Sequence, residues 1–567
     1  MILNLIFFFI FSLIITFSTI GYGFALVRVL KIDYFNLNYG FVGILGLFFL
    51  SIIASFTHLF LAHGYIHNLI IILFGLFFLI ISKQKNFKQF IRLSIIFSFL
   101  FICILVAKNN EDFGYYHLPN SIQFVEQKLQ FGLGNINHGF KHISSIFQLM
   151  SLNYLPIFHY YLFNITNFLF FLFFITFAIF QLFDNKRLTS NISNIFLILF
   201  LILFIAKFSR LAEYGSDISG QIIITIFLYY IVEIILNKKL SEKYLKHYFN
   251  ISLILIVFAV SLKFILVIYS VLFFSVFLII FKKKLFFKIF NLKILFISFL
   301  AFGIFIFFNF SSTGCLIYPV EKLCFTKTFD WALDSKTVNY LNFHYELWAK
   351  GGRGPNFSVE NPIEYVQSFN WVSNWISKYF IGKFTDFILV TFIILFVFSL
   401  VFVQNFLNYK ISFKKFTVNS IIIYLNFLAI FTIWFLNFPT LRYAGFVIVF
   451  ILIAFPFILL FDEVIDLSLK VNFKKIIILI LISYSIFLIK NIQRINNEFK
   501  LSTEDHHNFK NFPFFWVNNV NSTEHLINGH LVFKVNGMCW NTKSTCVRNL
   551  DNLRIVEKNK YIFYSIN

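Results

Sequence analysis

Charged residues are scarce in this sequence: they make up 13% of its 567 residues, while 59% are hydrophobic. The mean hydropathy is +0.81. Soluble globular proteins carry roughly 25% charged residues, so this composition excludes that class and is typical of a polytopic membrane protein. Met is also rare, with 3 residues, whereas Phe reaches 90. We interpret the excess of Phe, Ile, Lys and Asn mainly as codon bias in an AT-rich genome.

Acidic residues are outnumbered, since 25 Asp and Glu stand against 47 Lys and Arg, for a formal charge of +22. In a soluble protein this excess would indicate nucleic acid, but no nucleic-acid motif accompanies it. The basic residues instead fall in short loops between apolar segments, which is the pattern of the positive-inside rule. Such loops also attract anionic lipid headgroups. We therefore predict membrane lipids as partners and no nucleic acid.

Cysteine is limited to 5 residues. Cys103 lies in an apolar segment, so we expect a buried thiol. The other four form two close pairs in polar intervals and lack the tight Cys-x-x-Cys spacing of common zinc sites, which makes a zinc site the weaker alternative. If these intervals are extracytoplasmic, the pairs Cys315–Cys324 and Cys539–Cys546 predict two local disulfides.

Long apolar runs dominate the chain, and a membrane-spanning helix needs about 20 such residues. The first run, near 4–27, has no basic residue before it, which predicts a first helix with its N-terminus outside rather than a signal peptide. The stretch 249–281 is too long for one helix, so we expect two short helices that turn near Lys263. The other runs lie near 40–62, 66–82, 91–107, 162–182, 192–207, 217–236, 294–310, 384–404, 418–437, 443–461 and 476–490.

These runs predict an all-α polytopic membrane protein with about 14 transmembrane helices. Strongly basic loops alternate with loops that are long or poor in Lys and Arg, and we place the basic set in the cytoplasm. The membrane domain would cover 1–490, with outer loops at 108–161 and 311–383. A small extracytoplasmic α/β or β-rich domain would follow at 491–567, and both cysteine pairs fall on the outer face. No internal repeat is evident.

Within the C-terminal domain we expect strands at 517–520 and 531–535. In the first outer loop, apolar spacing after Pro119 predicts an amphipathic helix lying in the membrane interface, ended by Gly132 and Gly134. In the loop 311–383, tryptophans alternate with glycine and polar residues. They are compatible both with stacking on sugar rings and with an interfacial belt. These tryptophans are Trp331, Trp348, Trp371 and Trp375.

The first outer loop opens with Glu111, Asp112, Tyr116 and His117, directly after an apolar run. A carboxylate at the outer face can act as a general base toward a hydroxyl or amine. A pair of carboxylates can also hold a divalent cation against a phosphate. The alternative is an ordinary solvated helix terminus.

A second acidic cluster on the same face contains Arg210, Glu213 and Asp217. Their spacing would place them on one face of a continuous helix. The alternative is that Ser216 or Asp217 caps the next helix while Arg210 pairs with Glu213. The apolar flanks leave little room for a large loop, so this cluster should lie close to the membrane surface.

Two isolated cations complete the candidate site. Arg442 is the only charge between two apolar runs, and arginine binds phosphate oxygens through two parallel hydrogen bonds. A lone snorkelling arginine is the alternative. Lys263, alone at its own turn, is a similar candidate. Outer carboxylates for acid–base or metal chemistry, with cations for phosphate, suit a lipid-phosphate-linked donor whose tail stays in the bilayer.

The acidic first loop, the second acidic loop two helices later, and the Gly-x-x-x-Tyr-Pro stretch from Gly314 to Pro319 resemble the GT-C superfamily of integral membrane glycosyltransferases. More narrowly, the sequence is similar to a bacterial set of members with a Tyr-His-Leu motif after the acid of the first loop and a Cys-Trp-Asn-like sequence near the C-terminus, here Cys539-Trp540-Asn541. One departure is that about three helices precede the first acidic loop, where many members have one.

This resemblance implies inverting transfer of a sugar from a polyprenyl-phosphate donor to a glycan or lipid acceptor of the cell envelope. The protein would lie in the bacterial inner membrane with its site facing the periplasm. The implied catalytic residues are Asp112, Glu111, Glu213 and Asp217, and Asp112 and Glu213 are the candidate ligands if a divalent cation, Mg²⁺ or Mn²⁺, takes part. The implied substrate-binding residues are Tyr116, His117, Arg210, Lys263 and Arg442.

Two other functions remain open on the sequence. A transporter or flippase of a lipid-linked saccharide would be expected to show mid-helix charges, broken helices and repeats. An envelope polysaccharide polymerase or ligase would also use outer-face arginines and a lipid-linked substrate. Dependence of transfer on the outer carboxylates discriminates against transport, and use of a monosaccharide phosphate donor discriminates against the polymerase.

Overall fold

The computed structural model describes residues 1–32, 37–82, 86–106, 112–184, 190–209, 215–354, 357–404, 417–465, 470–500 and 511–566. Most of these residues are helical. Among them, 12 helices are long and apolar enough to cross a membrane, and two shorter apolar helices, Tyr65–Ile81 and Asn191–Lys207, accompany them. The chain is therefore a multi-pass, mainly α-helical membrane protein, as its composition predicts.

The α-helices are numbered here in chain order. They are α1 Ile2–Leu30, α2 Tyr39–His58, α3 Tyr65–Ile81, α4 Phe87–Leu100, α5 Leu118–Glu126, α6 Leu133–Ile136, α7 Ser145–Ser151, α8 Ile165–Asp184, α9 Asn191–Lys207, α10 Ser216–Leu236, α11 Glu242–Leu262, α12 Phe273–Lys282, α13 Phe286–Ile289, α14 Leu292–Thr313, α15 Ser335–Ala349, α16 Pro362–Val366, α17 Val372–Trp375, α18 Thr385–Val401, α19 Val418–Asn437, α20 Phe446–Val464 and α21 Lys470–Lys500.

Tighter and wider helical turns join several of these helices. The 3₁₀ segments are Phe101–Ile104, His138–Lys141, Tyr160–Leu162, Phe264–Leu272 and Glu321–Leu323, and the π-type segments are Phe113–His117, Ile376–Phe384 and Leu441–Gly445.

The core of the bundle is formed by α8, α9 and α10, whose side chains are almost all buried. The apolar stretch 249–281 does divide at Lys263, because Lys263 is extended (φ −155°, ψ 112°) between α11 and the following 3₁₀ segment. A lysine that leaves the helix at this point can turn its amine away from lipid toward polar partners. The predicted turn is therefore a real break in the helical path.

The predicted interface helix is shorter and more deeply buried than expected. α5 ends at Glu126, because Gln127 is extended, and the predicted end at Gly132 and Gly134 is wrong. Leu118 and Ser121 are fully buried, and the buried Gln123 amide donates to the Gln130 side chain at 2.7 Å. Polar partners inside the protein thus replace the aqueous face that an interfacial helix would have. The polar run after it folds into α6 and a 3₁₀ turn.

The tryptophans of the long outer interval are mostly internal. Trp371 and Trp375 are 1% and 4% exposed, and both rings pack against Phe435 of α19. The Trp375 indole N–H donates to the carbonyl of Pro439 at 2.8 Å. These two rings therefore neither present a face to a sugar nor line a membrane interface, and both interpretations of them are wrong. The membrane-spanning stretch that was predicted to begin near 384 begins at Val372.

The C-terminal segment is a small β structure, which we call the C-terminal cap (residues 511–566). It contains β3 Ser522–Ile527, β4 His530–Val535 and β5 Cys546–Val547 in one sheet, and the hairpin β6 Leu553–Lys558 with β7 Tyr561–Ile566. A two-strand ladder, β1 Arg353–Gly354 and β2 Phe357–Ser358, lies earlier in the chain. The preceding helix α21 continues to Lys500, past its predicted end near 490.

The strand predicted at 531–535 lies within β4, whereas 517–520 is not a strand. The cause is the Asn528-Gly529 turn, in which both residues have positive φ, of 48° and 81°. Such a two-residue turn fixes the register of the hairpin, so that Ile527 pairs with His530 and the first strand must lie directly before the turn.

The structure also pairs the cysteines. Cys315 is bonded to Cys324 and Cys539 to Cys546, while Cys103 is a buried free thiol.

Candidate functional site

The turn that follows Asp112 lies against the C-terminal cap. Its π-type segment, Phe113–His117, begins directly after Asp112 and leads into α5. The Trp540 ring lies where a side chain at position 114 would be, so only glycine fits there. The carbonyl of Gly114 accepts a hydrogen bond of 2.9 Å from the Trp540 backbone N–H. The cap therefore fixes the position of Asp112 from outside the bundle.

Asp217 is the second residue of α10, and Gly215 determines how the chain enters that helix. Gly215 has φ +48°, and the His117 imidazole occupies the space that its Cβ would take. Glycine is needed here both for its backbone angle and for this close packing. The first outer turn, which carries His117, is thereby packed directly against the start of α10.

Arg442 lies in a break between two apolar helices. Within Leu441–Gly445, Tyr443 and Ala444 have non-helical angles, and Ala444 has φ 67°. The break is held from several sides: the Tyr269 hydroxyl donates to the Ala444 carbonyl at 2.7 Å, and the Leu441 N–H donates to the Tyr379 hydroxyl at 2.7 Å. These contacts fix the backbone that carries the guanidinium.

These segments bring together four charges, Asp112, Asp217, Lys263 and Arg442, which we call the charge cluster. The Arg442 guanidinium binds both carboxylates, through Nη2 to Asp112 Oδ2 and through Nε to Asp217 Oδ2 at 2.8 Å. The Lys263 ammonium binds the other oxygen of Asp217. The two negative charges and the two positive charges cancel, so the cluster is formally neutral and can lie close to apolar helices.

The four side chains differ in their access to solvent. Asp217 is 6% exposed and Lys263 18%, whereas Asp112 is 28% and Arg442 38% exposed. Lys263 is further held above the Tyr443 ring, 4.5 Å from its centroid. The Asp217–Lys263 pair therefore forms the base of the site, and the Asp112–Arg442 pair forms its accessible edge.

Aromatic and imidazole rings form the wall beside Asp112. Tyr116 lies 4.3 Å from His117 and 4.9 Å from His142, measured between ring centroids. His138 lies 5.2 Å from His142, and its Nε2 is 3.0 Å from the hydroxyl of Tyr345. This wall leads from Asp112 outward to the C-terminal cap.

The protonation of this wall follows from its burial. Burial lowers the pKa of His117 to about 3 and that of His142 to about 4. Both rings are therefore neutral at pH 7. Burial alone would raise the pKa of Asp112, but the charge and hydrogen bond of Arg442 outweigh it and hold that pKa below its ordinary value. Asp112 is thus ionised and paired, and it becomes a stronger base only if Arg442 is drawn away.

The structure brings together six of the residues singled out in the sequence, although they come from four distant segments. These residues are Asp112, Tyr116, His117, Asp217, Lys263 and Arg442. Glu111, Arg210 and Glu213 lie outside the described residues. Sequence reasoning missed the roles of Gly215, His142 and Tyr443. The only signal for His142 was its spacing of four from His138 in a polar outer segment.

Two structural expectations for the second acidic cluster are wrong. The helix that carries Asp217 does not continue back through Gly215, because Gly215 has a positive φ, of 48°. Neither Ser216 nor Asp217 caps α10, since the N-cap residue is Gly215 and no side chain makes the capping bond. Asp217 is instead free to bind Lys263 and Arg442.

A metal would have to compete with these cations. Among the described residues, no group of three or more His, Cys, Asp or Glu side chains is arranged to hold a metal ion. Asp112 already binds the Arg442 guanidinium, and the charges of Arg442 and Lys263 oppose a divalent cation beside it. Pairing of Asp112 with Glu213 around Mg²⁺ or Mn²⁺ stays a prediction, because Glu213 lies outside the described part of the chain.

An apolar recess of about 490 Å³ opens between the end of α2 and the side of α14. Its walls are formed by Phe56, Leu59, Phe299, Leu300 and neighbouring residues, and Gly303 leaves open space where a side chain would stand. A narrow cavity of about 20 Å³ shares the lining residues Ser55, Ile304 and Phe308 with the recess.

This narrow cavity ends at Ile143, Ser145 and Ser261. Ile143 directly follows His142, and Ser261 lies two residues before Lys263. The Ser145 and Ser261 hydroxyls are hydrogen-bonded to each other at 2.9 Å. The narrow cavity, which is partly polar, therefore lies beside the segments that lead to His142 and Lys263.

A family model matches most of the chain. Residues 5–450 match a family described as a domain of unknown function (DUF8201). The matched region includes all four residues of the charge cluster and ends before the C-terminal cap. No curated protein and no solved structure matches the chain.

Proposed function

Since the chain belongs to the DUF8201 family, a domain family of unknown function, we propose its function from its own geometry. It is a membrane glycosyltransferase that moves a sugar from a polyprenyl-phosphate donor to a glycan or lipid acceptor of the cell envelope. The observation that carries this proposal is the charge cluster, in which Arg442 joins two carboxylates beside Lys263. A site of this kind supplies both a phosphate-binding cation and a carboxylate base.

The cations of the cluster provide a binding site for the phosphate of the donor. The Arg442 guanidinium has a planar set of N–H donors that matches phosphate oxygens. It is the most exposed member of the cluster, at 38%, and so can meet an incoming headgroup. Lys263 lies next to it, with its ammonium 3.5 Å from the Arg442 carbonyl. A donor phosphate would bind Arg442 in place of Asp112, while Asp217 keeps its bond to Lys263.

Asp112 then acts as the base. Once the phosphate has taken Arg442, the Asp112 carboxylate loses the partner that lowers its pKa. It accepts the proton of the acceptor hydroxyl as that oxygen attacks the anomeric carbon from the side opposite the phosphate. The bond between the anomeric carbon and the phosphate oxygen breaks, and the polyprenyl phosphate leaves with the electron pair. Attack from the opposite side inverts the configuration of the sugar.

The apolar recess suits the lipid part of such a donor. It is lined almost entirely by apolar side chains and opens on α14, where Phe296 and Phe299 are each 70% exposed. Three of its lining residues also line the narrow cavity that borders Ile143 and Ser261. Under this proposal the prenyl chain lies in the recess, out of water, while its phosphate binds Arg442.

We place the charge cluster at the extracytoplasmic face of a bacterial inner membrane. Asp217 lies at the start of α10 and Lys263 at the end of α11, whereas Lys238, Lys239 and Lys243 lie at the opposite ends of these two helices. Basic residues favour the cytoplasmic side. With the two shorter apolar helices crossing as well, the bundle would contain about 14 transmembrane helices.

One observation favours a second candidate, a transporter of lipid-linked saccharides. The helical path is broken at Lys263 and again at Leu441–Gly445, and both breaks carry charges of the cluster. Broken helices with charged residues are typical of transporter substrate sites. The two functions differ in whether a glycosidic bond is made.

Sugar transfer in membranes separates them. Wild type, Asp112→Asn and Arg442→Gln are supplied with radiolabelled polyprenyl-phosphate sugars at matched expression. The control variants are Asp184→Asn and Arg92→Gln, which break an exposed ion pair of the same type (2.8 Å) elsewhere in the protein.

Transfer by the wild type and both controls, with loss in Asp112→Asn and Arg442→Gln, supports the glycosyltransferase. Movement of lipid-linked saccharide across vesicles without any transfer would replace it with the transporter. Transfer only from lipid-linked oligosaccharides would indicate a polymerase or ligase.

A further inference from the structure

A polar pocket lies between the first outer loop and the C-terminal cap, and we call it the cap pocket. It has a volume of about 340 Å³. One side is formed by residues 134–138 and Lys141, and the other by residues 535–537 and 548–549. This volume falls within the range of small-molecule sites and exceeds the size of a single small ion. The cap pocket is separate from both the charge cluster and the apolar recess.

Two cations face this pocket. In the described part of the chain, neither Lys141 nor Arg548 forms an ion pair with a carboxylate. Burial lowers the pKa of Lys141 to about 8, and the charge of Asp334 opposes this shift. The Asp334 carboxylate already accepts hydrogen bonds from the backbone and hydroxyl of Thr337, at 2.9 and 2.6 Å. The two positive charges are thus available to an anionic ligand.

Polar and aromatic groups accompany the cations. The amides of Asn536 and Asn549 lie on the cap side of the pocket. The Arg548 guanidinium lies over the Tyr115 ring, 5.6 Å from its centroid, and His138 is stacked on the same ring at 5.9 Å. The buried Nδ1 of His138 has no hydrogen-bond partner among the described residues. Amides and a ring nitrogen are groups that form hydrogen bonds with sugar hydroxyls.

The pocket is also connected to the reaction centre. Tyr115 lies in the turn that begins at Asp112, and its ring is 6.2 Å from that of Tyr116. His138 in turn contacts His142, which contacts Tyr116. Contacting rings therefore link the cap pocket to the wall beside the carboxylate that we propose as the base.

From this arrangement we propose that the cap pocket binds a saccharide carrying one anionic group, a carboxylate or a phosphate, through Lys141 and Arg548. That this saccharide is the acceptor rests on the proposed function, whereas the binding itself does not. The site belongs in part to the C-terminal cap, so the cap is a recognition element as well as a support for Asp112.

The test is direct binding to the purified full-length protein in detergent, with no donor present. The probes are a glucuronate-containing disaccharide, glucose 6-phosphate, inorganic phosphate and the neutral disaccharide maltose. The variants are Lys141→Gln and Arg548→Gln. Matched controls are Lys558→Gln and Arg554→Gln, which remove exposed cations from β6 of the same cap.

We expect at least one anionic sugar to bind, with affinity lowered about tenfold by either pocket variant and unchanged in the controls. Preference between the two anionic sugars identifies the charged group as carboxylate or phosphate. Equal binding of maltose, binding of inorganic phosphate as tight as that of glucose 6-phosphate, or no binding at all would overturn the proposal. Binding without any sugar transfer would retain the pocket and remove the glycosyltransferase.

Discussion

Replacing Asp112 with asparagine should strengthen the binding of a lipid phosphate while abolishing transfer. In the free protein, the Arg442 guanidinium is held by the Asp112 carboxylate. A phosphate that binds Arg442 must first break this bond. Asparagine keeps the size of the side chain but removes its charge, so the guanidinium becomes available at no such cost. A residue that merely helped to bind the donor would show the opposite effect.

The size of the effect follows from the exposure of the pair. Exposed ion pairs contribute about 0.2–1 kcal/mol, and breaking fully buried ones costs roughly 3–5 kcal/mol. With Asp112 at 28% and Arg442 at 38% exposure, we expect a coupling near the upper end of the exposed range, about 1 kcal/mol. This corresponds to about fivefold tighter binding. Loss of the negative charge near the phosphate acts in the same direction.

The measurement is calorimetric titration of the purified protein with a short-chain lipid phosphate, farnesyl phosphate, at low salt. Asp184→Asn serves as the control, because it removes a carboxylate from an ion pair far along the chain. Transfer is measured on the same preparations and should fall by about 10²–10⁴ in kcat for Asp112→Asn, as expected for loss of a general base. Unchanged or weaker binding of farnesyl phosphate by Asp112→Asn would refute the competition between carboxylate and phosphate.

Four further results are expected. Because burial holds the pKa of His117 at about 3 and that of His142 at about 4, the pH profile of transfer should show no histidine inflection between pH 5 and 8. Protein stability should fall as the pH drops below about 6.5, where the unfolded chain takes up protons that the folded chain excludes. An inflection near pH 6.5 in the pH profile of transfer would contradict the low pKa values of the two rings. Gly303→Leu, which fills part of the apolar recess, should raise KM for a long-chain donor and leave it unchanged for a farnesyl donor, and equal effects on both would argue against the recess as the tail site. Gly215→Ala should lower the midpoint of thermal unfolding, at a cost of about 1–3 kcal/mol, because its φ of +48° and the adjacent His117 ring both exclude a Cβ; Gly382→Ala, where nothing lies within 4 Å, is the control.

The helical fold could be predicted largely from the apolar runs, because in a bilayer the chain must satisfy its backbone within each helix. The break at Lys263 was also visible, since one charge interrupts an apolar stretch that is too long for a single helix. Local sequence patterns gave wrong predictions where tertiary contacts determine the structure. α5 has an amphipathic pattern, yet its polar side chains find partners inside the protein. The strand at 522–527 was missed although the Asn528-Gly529 turn that fixes it was present in the sequence.

The candidate site could likewise be predicted only in part from the sequence. The residue types at the outer face indicated four residues separately, because an isolated charge beside an apolar helix needs a polar partner or water. These residues are Asp112, Asp217, Lys263 and Arg442. Which carboxylate binds which cation could not be predicted, because it depends on the helix break at Tyr443 and Ala444 and on the backbone conformation of Gly215. His142 was missed because a histidine in a polar segment has no distinguishing pattern until it is packed against Tyr116.

The resting arrangement of the charge cluster implies an order of events under the proposed function. Asp112 cannot serve as a strong base while Arg442 binds it, because that contact holds its pKa below the ordinary value. Only a bound donor phosphate removes the contact, so an acceptor that arrives first finds an ineffective base. The imidazoles of His117 and His142 cannot replace it, because burial lowers their pKa values to about 3 and about 4 and so makes them weak bases. The same ion pair that keeps the empty site neutral therefore makes activation of the acceptor depend on the presence of the donor.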